Sequence, residues 1–211
     1  MDAGTPALPT DCDEEAALRA QFGLVGPLAA HKVLDHLDDY ARRFVALSPF
    51  VVVASADAAG NVDASPRGDA PGFVAVPDDR TLVIPDRRGN NRIDTFVNLL
   101  DSPGLGLIFL VPGINETLRV NGTAAMTRDP ALLEPLVAEG KVPAAGLVVR
   151  VREAFFHCGK AMIRSKLWDP ARHVPRDTFP SLGRILAEQT ATATVAEAEA
   201  SIADAYRTRL Y

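Results

Sequence analysis

Cationic side chains cluster in one short stretch of this chain, Pro85-Asp86-Arg87-Arg88-Gly89-Asn90-Asn91-Arg92. On one side lies a strand-like run, Thr81-Leu82-Val83-Ile84. On the other is a helix-like run in which Ile93, Phe96, Val97 and Leu100 recur at i, i+3, i+4 and i+7. Asn91 stands where an N-cap would, with Asp94 three residues on in the capping-box position. Guanidinium groups beside the free N–H groups of a helix start are suited to a phosphate dianion. Cations there otherwise oppose the helix dipole, and a bound anion would remove that conflict. The same residues equally describe a solvated turn, and their spacing does not choose between the two. Neither a Walker phosphate loop nor a strand–GxGxxG–helix pattern is present.

Three other segments carry reactive or ligand-binding residue types. Ser65-Pro66-Arg67-Gly68-Asp69 ends a strand-like run. Arg67 would add a fourth cation to a phosphate pocket, although a plain turn held by Asp69 is the better reading of this segment alone. Asn115-Glu116-Thr117-Leu118-Arg119-Val120-Asn121-Gly122 alternates polar and apolar residues, as a groove-lining strand or any half-exposed strand does. Phe156-His157-Cys158-Gly159-Lys160 precedes Arg164-Ser165-Lys166-Leu167-Trp168. Neighbours on a strand point to opposite faces, which argues against a His157–Cys158 catalytic couple. Lys160 and Arg164 share a face if the turn is helical.

The elements that must position these groups are mostly strands. Runs at 50–55, 62–66, 73–76, 81–84, 106–111, 117–126 and 146–156 are β-branched or alternating, with short turns between them. Helical spacing appears near 14–21, after Pro27 along Leu28, Val33, Leu34, Leu37, Ala41 and Phe44, at 93–100, from Pro130 to about 139, and at 182–189 and 195–210. Few helices between many strands predict an α+β protein, mainly β, with an antiparallel barrel or sandwich and peripheral helices.

Composition narrows the function classes. The chain has 211 residues, 47% hydrophobic and 23% charged, with a formal net charge of −5. An acidic protein is poorly suited to non-specific nucleic-acid binding. No apolar run approaches the roughly 18–20 residues that span a bilayer. The acidic N-terminal stretch lacks the order of a signal peptide, so a cytoplasmic protein is expected. Cys12 and Cys158 do not make a disulfide framework. His31, His36, His157 and His173 show no zinc-type spacing, so no metal site is expected.

The order of the four polar segments resembles that of the pyridoxamine 5′-phosphate oxidase-like FMN-binding proteins. It is most similar to a bacterial branch carrying SPRGD, DRxGN, LRVNG and a late HCxKAxxRSxLW. The resemblance covers about residues 30–211. It implies an antiparallel split β-barrel and a homodimer with two FMN sites at the subunit interface. It places Arg67, Asp86, Arg87 and Arg88 near the cofactor. Asn90, Asn91 and Arg92 fall where the family has its Ser-Arg-Lys phosphate cluster, and only Arg92 keeps a positive charge there. Thr117 takes the position of a ring-binding glutamine. His157, Lys160 and Arg164 would approach the flavin from the other subunit, and Arg119, Arg67, Lys160 or Arg164 would face the N1–C2 edge. The implied organisation is an N-terminal extension (1–26), a barrel (27–168) and a helical extension packed on it (169–211). The implied function is an FMN-dependent oxidoreductase acting on a small molecule by hydride transfer through N5. The C-terminal arginine–histidine pattern for pyridoxamine phosphate is not evident. A non-catalytic flavin carrier, a haem-binding protein and a deazaflavin-dependent reductase share the same expectations.

Overall fold

The computed structural model describes residues 15–211. Cys12 and the acidic N-terminal residues before Glu15 lie outside the described residues. The chain forms two compact units that divide between Val33 and Leu34. The first carries two short helices, α1 (Glu15–Phe22) and α2 (Pro27–His31). No helix among the described residues is long and apolar enough to cross a membrane.

The second unit opens with α3 (Asp39–Leu47). A single helical stripe from Leu28 to Phe44 is expected from spacing, and the structure corrects this. Asp38 takes extended backbone and its side chain accepts from the Ala41 amide, starting a new helix. Before it, Leu34 pairs with Ala154 in a β-bridge. Leu37, Ala41, Phe44 and Val45 are buried, whereas Leu28 is 90% exposed.

Seven strands follow, interrupted by two helices, one between the fourth and fifth strands and a short one between the sixth and seventh. They are β1 (Phe50–Ala56), β2 (Val62–Gly68), β3 (Ala75–Asp78), β4 (Thr81–Pro85), β5 (Gly104–Leu110), β6 (Thr117–Thr127) and β7 (Gly146–His157). The helix α4 (Asp94–Asp101) connects β4 to β5. The strands form one antiparallel sheet in the order β2-β1-β5-β6-β7-β4-β3. Val51, Val53, Leu107, Phe109, Leu118, Val120, Leu82, Ile84 and Val149 belong to one buried cluster. One face of strands from both halves of the sheet thus meets in a single core, the arrangement of a curled sheet. The Phe44 ring meets Phe156 edge to face, with centroids 5.4 Å apart.

The alternation of β7 breaks where it pairs with β6. Gly122 faces Val151 but Asn121 faces Glu153, so Arg152 is an extra residue and the strand bulges. A Cβ at Gly122 would collide with the Arg150 carbonyl oxygen, so the bulge requires glycine opposite it.

Further helices complete the second unit. α5 (Pro130–Leu133) runs into a 3₁₀ turn and is capped by Asp129. α6 (Lys160–Ser165) follows β7. α7 (Leu182–Thr190) and α8 (Val195–Thr208) pack closely, with Gly183 against the Glu199 backbone, where a Cβ would not fit. Ser181 caps α7, and Thr194 with Glu197 forms a capping box on α8.

Candidate functional site

The arginine loop joins the end of β4 to α4, and its backbone departs from the sequence expectation. Asn91 is not the N-cap and Asp94 does not close a capping box. The helix starts two residues later, with Ile93 at the N-cap position and without any side-chain cap. Asn91 and Ile93 both take left-handed backbone, with φ of 61° and 53°. Asparagine tolerates that region, whereas a β-branched isoleucine does so at a cost of roughly 1–3 kcal/mol. The Asn90 side chain accepts from the Arg92 amide at 3.1 Å, and Arg92 Nε donates to Asp94 Oδ2 at 2.7 Å. The carboxylate expected to cap the helix holds an arginine instead. Arg88 is exposed and makes no ion pair or side-chain hydrogen bond with a described residue.

The edge strand β2 supplies a second wall. Its alternation turns Asp63, Ser65 and Arg67 to the more covered side. Arg67 donates to the Ser65 hydroxyl, to the Pro66 carbonyl at 3.0 Å and to Thr95 Oγ1 at 3.4 Å. The Thr95 hydroxyl in turn donates to Asp63 Oδ2 at 3.3 Å. Thr95 sits in the first turn of α4 and is only 2% exposed. Asn98, one turn on, donates to the Ser55 hydroxyl of β1 at 3.0 Å and fixes the helix on the sheet.

A third contact ties the two walls together. Arg87 Nε donates to Asp69 Oδ2 at 2.6 Å, with the two side chains 16% and 4% exposed. Tyr211 donates its hydroxyl to the other oxygen, Asp69 Oδ1, at 2.8 Å. Its ring lies 5.8 Å from the Arg87 guanidinium. Burial pushes the Asp69 carboxyl up, but the hydrogen bonds from Tyr211, the Ala70 amide and Arg87, with the Arg87 charge, hold it below its ordinary value. The same bond to Asp69 pushes the Tyr211 phenol up.

Between these walls lies a cavity of about 530 Å³, lined by residues 63–68 and 85–96 with Phe73 and Leu210. β2 is one edge of the sheet and β4 lies next to the other, so the curl of the sheet makes the pocket. Arg67, Asp86, Arg87, Arg88, Asn90, Asn91 and Arg92 all line it. Asp63, Asp86 and Asp94 line it too, so an anion there competes with carboxylates for the arginines. Burial raises the Asp86 carboxyl above its ordinary value, with the nearby Arg67 charge pulling the other way.

Thr117, Arg119, His157, Lys160 and Arg164 do not line this cavity. Thr117 is buried and pairs with exposed His157 across β6 and β7. The Arg119 guanidinium lies 5.0 Å from the Phe155 ring centre. Lys160 and Arg164 are exposed on α6. That helix starts at Gly159, where a Cβ would strike the Asn115 side chain. Trp168 donates to the Ile114 carbonyl at 2.9 Å, a packing role. Cys158 is an exposed free thiol, and no metal-binding cluster of His, Cys, Asp or Glu exists among the described residues.

Sequence reasoning misses three participants. Asp63 and Thr95 look like ordinary strand and helix residues, and Tyr211 gives no local signal at all. Only the alternation of β2 could have pointed to Asp63, in step with Ser65 and Arg67.

Comparison with known proteins gives the chain its relatives. It is similar in structure to HupZ of Group A Streptococcus, at 19% identity and a TM-score of 0.47, over 56% of this chain and 92% of that one. It is also similar to a putative pyridoxamine 5′-phosphate oxidase from Lactobacillus delbrueckii, at 22% identity and a TM-score of 0.45, over 58% and 95% of the two chains. An FMN-binding protein from Syntrophomonas wolfei matches at 15% identity and a TM-score of 0.45, over 56% and 84%. No curated protein matches the sequence. The model of the family described as pyridoxamine 5′-phosphate oxidase matches residues 37–158, which hold all seven strands, α4 and the arginine loop. The chain belongs to the pyridoxamine 5′-phosphate oxidase family and has its split-barrel fold.

Proposed function

We propose that this chain binds FMN in the cavity between β2, the arginine loop and α4, and serves as an FMN-dependent oxidoreductase. The observation that carries the reading is the convergence of residues 63–68 with residues 85–96 on one cavity, in a chain of this family. A volume of about 530 Å³ is within the range of cofactor-sized sites. The donor set fits a phosphate monoester: Arg88 is uncommitted, Arg92 holds only the exposed Asp94 pair, and Arg67 has donors along one wall. Arg87 is committed to Asp69 and acts as a strut between the walls.

When bound, the flavin would supply hydride acceptance at N5. The chain's own contribution is then to hold and orient. Arg88 and Arg92 neutralise the phosphate, Thr95 sets the Arg67 guanidinium, and Asp86 offers a carboxyl whose raised affinity for protons suits proton exchange in a covered site.

The remaining expected contacts belong to a second copy. Thr117, Arg119, His157, Lys160 and Arg164 would reach a flavin bound by the partner subunit. α4 supports this with uncovered apolar side chains one turn apart, Val97 and Leu100 at 50% and 78% exposure.

The deciding measurement is the visible spectrum of the purified protein, followed by FMN titration and anaerobic reduction with NADH and NADPH. A yellow protein, or tight uptake of FMN, is expected. A Soret band, or a colourless protein that takes up no FMN, overturns the reading.

A further inference from the structure

We propose that Tyr211 is a positioning residue of the anion pocket, acting through Asp69 on Arg87. The proposal rests on the flavin reading for its ligand but not for its geometry.

Three contacts from separate parts of the unit converge on this one residue. Its hydroxyl donates to Asp69 Oδ1 at 2.8 Å. Its ring covers the Arg87 guanidinium at 5.8 Å. Its carbonyl oxygen accepts from Lys141 Nζ at 3.0 Å. Asp69 lies just beyond β2 and Arg87 just beyond β4, so the Asp69–Arg87 pair joins the two walls of the cavity. An ion pair on a surface is a loose joint. Here the carboxylate is 4% exposed, and the Tyr211 hydroxyl takes the oxygen that Arg87 leaves open. Both carboxylate oxygens are therefore engaged, from opposite partners, and the guanidinium is covered by the ring.

This cover reaches the cavity itself, because Leu210 lines it beside the arginine loop. The loop holds two residues in left-handed backbone and lacks a helix cap, so its own bonds fix it weakly. The Tyr211–Asp69–Arg87 chain supplies what the loop lacks. It sets the start of the loop, and with it the places of Arg88 and Arg92. The ligand class served is the phosphate end of a flavin mononucleotide, not its ring.

Two measurements test this together. In limited digestion with trypsin, Tyr211→Ala should speed cleavage after Arg87 and Arg88 by about tenfold, and Tyr211→Phe by less, while other sites keep their rates. In fluorescence titrations, Tyr211→Phe should weaken FMN about fivefold and leave riboflavin, which has no phosphate, unchanged. In an Asp69→Asn background, Tyr211→Phe should add nothing further. Unchanged cleavage at the loop overturns the proposal, as does equal weakening of FMN and riboflavin. If the unaltered protein binds neither flavin, the flavin reading fails, and the cleavage rates alone decide the role of Tyr211.

Discussion

The Arg67 guanidinium and the Thr95 hydroxyl meet at 3.4 Å, joining the edge strand β2 to the first turn of α4. Thr95 accepts from Arg67 and donates to Asp63 Oδ2, so one buried hydroxyl serves a cation and an anion at once. Neither charge of β2 is free to turn away from the cavity while that hydroxyl is present.

Thr95→Val keeps the shape and removes both bonds. We expect a loss of about 1–2 kcal/mol in stability by urea denaturation, the scale of buried polar groups left without partners. FMN affinity should fall as well. Unchanged stability and affinity together would show that the hydroxyl is incidental.

The arginines of the loop should separate by role. Arg88→Ala and Arg92→Ala should each weaken FMN on the order of tenfold without affecting riboflavin, because charge-assisted bonds to phosphate are lost. Arg87→Ala leaves Asp69 covered and half-paired, and should cost about 1–3 kcal/mol of folding stability. Isothermal titration and denaturation, run on the same three variants, check the division. A phosphate-specific loss confined to Arg87→Ala would reverse it.

Asp86 gives a pH signature with a definite sign. Burial raises its folded-state value above the unfolded one, so the folded protein binds the proton more tightly. The charged form is penalised at neutral pH, and the penalty is relieved as pH falls through the raised value toward the ordinary one. Asp86→Asn should therefore be more stable than the unaltered protein at pH 7, with the gap closing in acid. Denaturation curves at both ends of that range would expose a gap of the opposite sign.

The apolar face of α4 should be covered in solution. Val97→Asp with Leu100→Asp is expected to halve the mass seen by light scattering and to lower FMN affinity, with the secondary structure by circular dichroism intact. If the unaltered protein already has the mass of one chain, the dimer reading is lost.

The strands were legible because β-branched runs and period-two alternation survive in any sheet that buries one face. The cavity was legible in part. Arg67 near the end of β2 and the arginines at 87, 88 and 92 in the loop after β4 carry charge beyond or near strand ends, and strand ends are where a curled sheet brings distant segments together. Three features were not legible. The stripe from Leu28 to Phe44 fits one helix, but pairing of Leu34 with Ala154 outweighs helical spacing. The start of α4 is set by left-handed backbone at Asn91 and Ile93, which the capping pattern does not reveal. Tyr211 meets a carboxylate 142 residues away, and no local pattern encodes such a partner.

Arg152, the extra residue of β7, exchanges the roles of odd and even positions along that strand. Leu147, Val149 and Val151 are buried before it, and Ala154 is buried after it, with Phe156 packed on the core. His157 is odd and would point inward on an unbroken strand. The shift in parity turns it outward, in step with Phe155 and Arg119, just before the chain enters α6. One residue of slack thus decides which side of the barrel wall the whole His157-to-Arg164 segment addresses.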